Sequence, residues 1–300
     1  MRTNETHKRP AVGVIGVGGG WSSELLADRV AELTGGDRLL IDMDEVRLDL
    51  PSGRALWRGR DLSRLDALIV KKLGQDYSAD LLDRLEILRL LEGRGVRVFS
   101  PPAAIARLLD RLSCTVTLQL AGIPMPPTTV TESLEHALDA VAEYGRAILK
   151  PLYSTKARGM CVLDPGPIAR ETLAVYRRTH RVFYLQKAID LGDSDLGVVF
   201  LGGEHLTTYA RRRKPGEWNT TTASGGKYAP CDPPAEIIEL ARRAQAPFGL
   251  DFTCVDVALT DSGPYVFEVS AFGGFRGVNQ ARGMDAARLV AEHVLRRLAA

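Results

Sequence analysis

The chain has 300 residues, enough for several lobes around a buried core, and its 45% hydrophobic and 25% charged content is that of a globular protein. Its 39 basic and 37 acidic residues leave a net charge of +2, which excludes wholesale attraction to nucleic acid or to a membrane surface, so neither is expected as a partner. After a polar leader, Met1 to Pro10, with no signal-peptide run, the β-branched run Ala11 to Val17 predicts a buried strand broken by Gly18 to Gly20. Ser22-Ser23-Glu24 before LLADRVAEL predicts a capped amphipathic helix. LLIDM and ALIVKKL read as strands, LLDRLEILRLLEGRG as a helix ending on glycine, and VRVFSPP as a strand stopped by Pro101-Pro102. This β-α-β alternation predicts an open parallel sheet. A second unit opens with one helix through IARLLDRLSCTVTLQLAG, then the turn IPMPP, the helix HALDAVAEYG, the strand AILK, the turn YSTKARGM, and the strands MCVL and FYLQKAI. The last stretch offers strands around VVFLGG, HLTTYARR, FTCVDVAL and YVFEVSA, with helices AEIIELARRAQAPFG and DAARLVAEHVLRRL.

No stretch approaches the length of a transmembrane helix. The cysteines Cys114, Cys161, Cys231 and Cys254 lack metal-ligand spacing and suit a reducing compartment, so a cytoplasmic protein is expected. None of the histidines has a spacing that suggests a base or a metal site.

Among the residues that could carry chemistry, Gly16 and Gly18 invite comparison with a dinucleotide fingerprint, but Trp21 stands where the third glycine belongs. A tight strand-to-helix turn is expected there instead of a nicotinamide site. The helix start can still receive an anionic group, which makes Ser22 and Ser23 candidate substrate contacts. Asp256 in FTCVDVAL and Glu268 in YVFEVS flank the turn TDSGP, so a hairpin places both carboxylates on one face. Two like charges side by side call for a cation, and oxygen donors with open positions suit Mg²⁺. The alternative is one exposed carboxylate and one paired with an arginine; spacing alone does not separate the two. Lys150 ends the strand AILK immediately before the segment Tyr153 to Gly159, whose amides, with Lys156 and Arg158, can cradle phosphate. Arg211 to Lys214 precede the glycine-bearing loop GEWNTTTASGGKY.

In order and spacing, SPPAAIARLLDRLSCTVTLQLAGIPMP, ILKPLYSTKARGM, YLQKAI, ARRRKPGEWNTTTASGG, CVDVAL and VFEVSAFGGFRG resemble the ATP-grasp superfamily, in the branch of RimK-type glutamate ligases and glutathione synthetase. At GGWSSELLAD and RLDLPSG the likeness extends to the ATP-grasp enzyme of the bacterial GAK system. The resemblance implies an α/β and α+β chain: a parallel-sheet pre-ATP-grasp domain over 1–101, a central lobe over 102–188 and a metal-bearing lobe over 189–300, with the nucleotide between the last two. It implies ATP and Mg²⁺, or Mn²⁺ in its place, as cofactors. It places Lys150 on the α- and β-phosphates, with Arg111 where relatives carry a first phosphate lysine. Gln186, Lys187 and Ile189 fall on the adenine hinge and Asp195 on the nucleotide side of the cleft. Arg211 falls on the arginine that neutralises the transferred phosphate, and Asp256, Glu268 and Ser270 on the metal ligands. Serine departs there from the usual asparagine. Gly197, and the Trp218-Asn219-Thr220-Thr221 stretch, lack arginines common in relatives, leaving Asn219, Lys227 and Arg276 as candidate substrate contacts. The activity implied joins a small acid to an amine through an acyl phosphate, with 2-hydroxyglutarate and glutamate as one candidate pair. The alternatives are a ligase acting on a protein tail and a nucleotide-binding regulatory protein without turnover. Relatives are usually dimers or tetramers, so a homo-oligomer is expected.

Overall fold

The computed structural model describes residues 9–300; residues 1–8 of the polar leader lie outside the described residues. β1 (Val12–Ile15) is buried at every position, as its unbroken VGVI run requires. It is followed by α1 (Trp21–Thr34), β2 (Leu40–Ile41), the antiparallel meander β3 (Val46–Asp49), β4 (Arg54–Trp57) and β5 (Arg60–Asp61), then β6 (Ala67–Val70), α2 (Leu81–Gly93) and β7 (Arg97–Phe99). The parallel sheet of this first lobe runs β2-β1-β6-β7, as the β-α-β alternation predicts. The meander is absent from the sequence reading because its strands are short and mix charge with apolar residues.

α1 begins one residue before the expected serine cap. Its N-cap is Gly20, which makes no side-chain cap, and Ser23 lies inside the helix. The buried Ser23 Oγ instead accepts the Val17 N–H at 3.3 Å, and a Cβ at Gly16 would lie 2.7 Å from the Ser23 side chain. The glycine turn is thus a close-packed strand-to-helix corner. Trp21, the first helical residue, is 41% exposed.

The single helix expected over 105–122 is two, α3 (Pro102–Leu109) and α4 (Arg111–Leu120). Asp110 breaks them with an extended backbone (φ −89°, ψ 115°), and its carboxylate accepts the Leu112 N–H at 3.1 Å. A short acidic side chain competes for the backbone in this way and so caps a helix better than it continues one. The break makes Arg111 the first residue of α4.

The second lobe adds β8 (Thr128–Thr131), α5 (Leu134–Tyr144), β9 (Ala147–Leu149), β10 (Cys161–Leu163), α6 (Pro167–Tyr176) and β11 (Phe183–Lys187) in an antiparallel sheet ordered β10-β9-β11-β8. β8 and α6 went unread in the sequence. Ala147, Leu149, Leu163, Phe183 and Leu185 pack together with α5 and α6. Strand alternation therefore turns Val162, Ile148, Gln186 and Thr128, which lie in one register row, to the opposite face.

The third lobe has β12 (Ser194–Leu201), β13 (Glu204–Arg212), β14 (Lys227–Pro230), α7 (Ala235–Gln245), β15 (Phe252–Thr260), β16 (Gly263–Ser270), α8 (Phe275–Arg282) and α9 (Ala286–Ala299). Its antiparallel sheet runs β14-β13-β12-β15-β16. α9 packs beside α1 of the first lobe, where Arg29 meets Asp285 at 2.7 Å and Arg288 meets Glu32 at 3.1 Å. One apolar cluster accordingly joins Val12, Val14, Leu26 and Phe99 of the first lobe to Phe252, Phe275 and Val290 of the third.

Candidate active site

The expected hairpin of β15 and β16 forms, with Thr260 opposite Gly263 and Asp256 directly opposite Glu268. Across the same sheet the row continues to Gly197 on β12 and Tyr209 on β13. The adjacent row holds Asp195, Arg211 and Tyr228. Facing these rows is the inner face of the second lobe's sheet. Between them lies a cavity of about 860 Å³, within the usual size of a cofactor site. Lys150, Arg111, Lys156, Gln186, Lys187, Ile189, Asp195, Arg211, Asn219, Asp256, Glu268 and Ser270 all line it.

Lys150 follows β9 and is buried; its ammonium donates to Gln186 Oε1. Burial, and then the neighbouring Arg111 guanidinium, push it down to about 7 against the opposing pull of Glu268. A buried lysine without a carboxylate hydrogen bond is expensive unless an anion is to be received. Arg111 is tethered through Nε to Pro151 O at 3.0 Å and approaches Glu268 Oε2 at 3.5 Å. The helix break at Asp110 is what aims it there. Gln186, which accepts from Lys150, donates through Nε2 to Thr128 Oγ1 at 3.1 Å. Its side chain thus meets Lys150 on the cavity wall that Lys187 and Ile189 also line. In the same segment Lys187 N–H donates to Pro127 O at 2.8 Å and Ala188 N–H to Arg146 O at 2.9 Å.

Arg211 is half-buried between two carboxylates. Its Nε donates to Asp195 Oδ1 at 3.1 Å, its Nη2 also reaches Asp195 Oδ2, and Nη2 meets Asp256 Oδ2 at 3.0 Å. Burial works against the guanidinium charge, but Asp256 and Asp195 outweigh it and hold Arg211 cationic. Burial pushes the Asp256 carboxyl up, to about 7; Arg211 opposes this, while Asp195 and Glu268 add like charge. Glu268 is more open, with its side chain 42% exposed. Both carboxylates thus have an arginine within reach, as the salt-bridge alternative holds. They also share one face with Ser270 and line the cavity that contains Lys150. Among the described residues no group of three or more His, Cys, Asp or Glu is placed to hold a metal, so a cation here would draw on Asp256, Glu268 and the Ser270 hydroxyl. An oxygen-only donor set around a carboxylate with a raised pKa fits Mg²⁺.

The segment 153–159 does form the expected turn. Lys156 and Ala157 both take left-handed backbone (φ 58° and 57°), a conformation that costs energy for residues with a Cβ, and both face the cavity. Asn219 is buried and its Oδ1 accepts from Thr221 N–H at 3.0 Å, shaping the loop after Trp218.

The remaining candidates are not brought to this cavity. Ser23 is consumed in the glycine corner. Ser22 is half-buried and Lys227 exposed, and neither lines the cavity. Arg276, at the start of α8, is exposed and lies 5.6 Å from the Trp21 ring. Ser22 and Arg276 therefore share a neighbourhood where α1 and α8 begin, apart from the cavity lining.

Sequence reasoning missed the apolar walls, Ile148, Met160, Val162, Leu191 and Phe267, and the aromatic residues Trp218 and Tyr228. The period-two alternation of β9 and β10 signals Ile148 and Val162; Phe267 and Tyr228 lie on β16 and β14, and Met160, Leu191 and Trp218 sit outside regular elements with no pattern to mark them. The glycine at 197 also finds its cause. A Cβ there would lie 2.4 Å from the Tyr209 ring, and one at Gly277 would lie 2.5 Å from its other side. Gly197→Ala should therefore cost about 1–3 kcal/mol by overpacking, read as a lower urea midpoint at unchanged slope.

A model of the RimK-like ATP-grasp domain matches residues 109–294, well over half of the chain. The chain belongs to the RimK-like ATP-grasp family. It is 26% identical over 261 residues to the tetrahydromethanopterin:alpha-L-glutamate ligase of Methanosarcina acetivorans, covering 78% of this chain and 81% of that one. The crystal structure of a RimK domain ATP-grasp protein from Sphaerobacter thermophilus superposes with TM-score 0.72 and 25% identity, over 95% of this chain and 99% of that one. The ATP-grasp ligase PsnB, in its complex with a phosphomimetic variant of minimal precursor, Mg and ADP, shares the fold with TM-score 0.75 at 17% identity, over 97% and 99% of the two chains. This RimK-like ATP-grasp protein is accordingly a ligase, with an N-terminal parallel sheet and two antiparallel sheets facing each other across the cavity. No helix among the described residues is long and apolar enough to cross a membrane.

Proposed function

We propose that this ligase uses ATP and Mg²⁺ to activate a small carboxylic acid as an acyl phosphate and joins it to the amine of glutamate or a similar amino acid. The observation that carries this reading is the meeting of buried Lys150, half-buried Arg211 and the Asp256–Glu268 pair in one cavity between two lobes. The lobes divide at 101/102 and 188/189. Ile148, Met160 and Val162 receive the flat base, and the backbone around Ile189 reads its edge. Lys150 and Arg111 hold the phosphate chain, and Lys156 closes over it from the strained turn.

Asp256, Glu268 and Ser270 would hold Mg²⁺, or Mn²⁺ in its place, which when bound neutralises phosphate charge. An oxygen of the acid attacks the γ-phosphorus and ADP departs; Arg211 faces the charge that gathers on the transferring group. The amine nitrogen then attacks the acyl carbon, loses a proton, and phosphate leaves carrying one oxygen from the acid. No protein nucleophile is required, and catalysis rests on position and electrostatics. Glutamate is supported as the amine by the names of relatives, and 2-hydroxyglutarate is a candidate acid for this cation-rich site.

A panel of acids and amines assayed for ATP-dependent phosphate release tests the reading. Release that needs one acid and one amine together supports it; no release with any pair counts against it and favours a regulatory nucleotide-binding role. On an active pair, Ser270→Asn should preserve turnover and lower the Mg²⁺ concentration needed for half-maximal rate. A raised KM for the acid with unchanged Mg²⁺ dependence would instead show that the serine makes room for substrate.

A further inference from the structure

Lys71, directly after β6, is a second buried lysine that the chemistry above does not use. Its backbone N–H donates to Ile15 O at 2.9 Å, which seats it at the carboxyl end of the parallel sheet. Its ammonium leaves that lobe altogether. It donates to Phe272 O and, at 2.8 Å, to Gly273 O, and stands 4.3 Å from the centre of the Phe275 ring. Among the described residues no carboxylate offsets its burial, and the one charge that acts on it is the like-charged Lys72. Burying an ammonium on carbonyl oxygens alone is a poor way to gain stability, because an apolar side chain of similar volume would pack there at lower cost. What the lysine supplies that an apolar group does not is direction: two oxygens of one loop fixed from another lobe.

That loop is short and tightly seated. It leaves β16 at Ser270 and enters α8 at Phe275. Gly273 has a φ of 37°, and a Cβ there would lie 2.4 Å from the Phe252 ring. Beyond it, Gly277 rests on the Tyr209 ring, which also covers Gly197 in the Asp256 row. The loop thus connects the end of the metal-side strand to the helix that carries Arg276, and it has little freedom of its own to choose its carbonyl directions.

We infer that Lys71 is a positioning residue for ligation: from the first lobe it fixes the 272–273 carbonyls, and through them the placement of Ser270 on the cavity wall. Its kinetic consequence rests on the ligase reading, whereas its structural consequence does not. Lys71→Met keeps the volume and removes the donors; Lys71→Gln keeps a shorter donor and serves if the methionine variant fails to fold.

The test is hydrogen exchange of the amides in 271–277, paired with steady-state kinetics on an active acid–amine pair. Lys71→Met should raise exchange in 271–277 by roughly tenfold or more while β9 and β11 keep their protection, with Lys71→Gln in between. It should lower kcat by about tenfold or more with KM for ATP within about twofold, because the base and phosphate cradle is untouched. Unchanged exchange in both variants overturns the inference. So does faster exchange with unchanged kcat, which would make Lys71 a structural tie alone. If the wild-type protein turns over no pair, the ligase reading fails, and the exchange experiment still decides whether Lys71 holds the loop.

Discussion

Arg211→Met should abolish ligation and, unusually for an active-site change, also destabilise the protein. The guanidinium is the shared partner of Asp195 and Asp256, both largely buried, and its removal leaves two carboxylates facing one another without a cation. Breaking a buried pair in this way costs about 3–5 kcal/mol, to be read from urea unfolding at neutral pH. Turnover should fall by on the order of 10²–10³ or more, as for other donors aimed at developing charge. Adding Asp195→Asn to the variant removes one of the stranded charges, so much of the stability should return while turnover does not. A single variant that keeps its kcat would remove Arg211 from the chemistry.

Lys150→Met should behave in the opposite way toward stability. The buried ammonium is a burden on the ligand-free protein, so the variant should be as stable as the wild type or more so. ATP affinity, measured by calorimetry, should drop by about ten- to a hundredfold, the worth of one or two hydrogen bonds to a charged phosphate. The lysine also leaves a pH signature. The unfolded chain keeps this proton up to its ordinary value of 10.5, whereas the folded protein loses it near 7. Between those values the unfolded state binds more protons, so stability of the ligand-free protein rises with pH across that window. Lys71, also near 7 through burial and then the neighbouring Lys72, adds to the same slope. Lys150→Met should flatten it. At about pH 8, binding of metal-free ATP should draw a proton onto Lys150, visible as a buffer-dependent binding enthalpy that the variant lacks. Equal ATP affinity in the two proteins would contradict the placement of the phosphates.

The elements that were legible in the sequence are those whose pattern is dense. The unbroken apolar run of β1, the β-α-β alternation and the hairpin of β15 and β16 each carry a periodicity that little else satisfies. Asp256 stands opposite Glu268 because a register shift between Asp256 and Val257 adds one residue to the pairing that the turn sets, a detail the sequence does not mark. The break at Asp110 was hidden because the apolar spacing continues through it; only the side chain's competition for the Leu112 amide ends the first helix. The Gln186 contact was hidden for a related reason: only the alternation of β11 sends its side chain across the sheet to Lys150. Ser23, which looks available for substrate in the sequence, is committed to packing under Gly16, and Gly197 lies under the Tyr209 ring. The walls of the cavity join strands of two lobes with the loops at Met160, Leu191 and Trp218, a convergence no local pattern records.

The most direct test of the central claim follows one oxygen atom. An acid labelled with ¹⁸O in its carboxylate, incubated with the ligase, ATP, Mg²⁺ and an accepted amine, should yield ADP and inorganic phosphate carrying one ¹⁸O for each amide formed. Phosphate without label, or AMP and pyrophosphate in place of ADP and phosphate, would contradict activation through an acyl phosphate in this cavity.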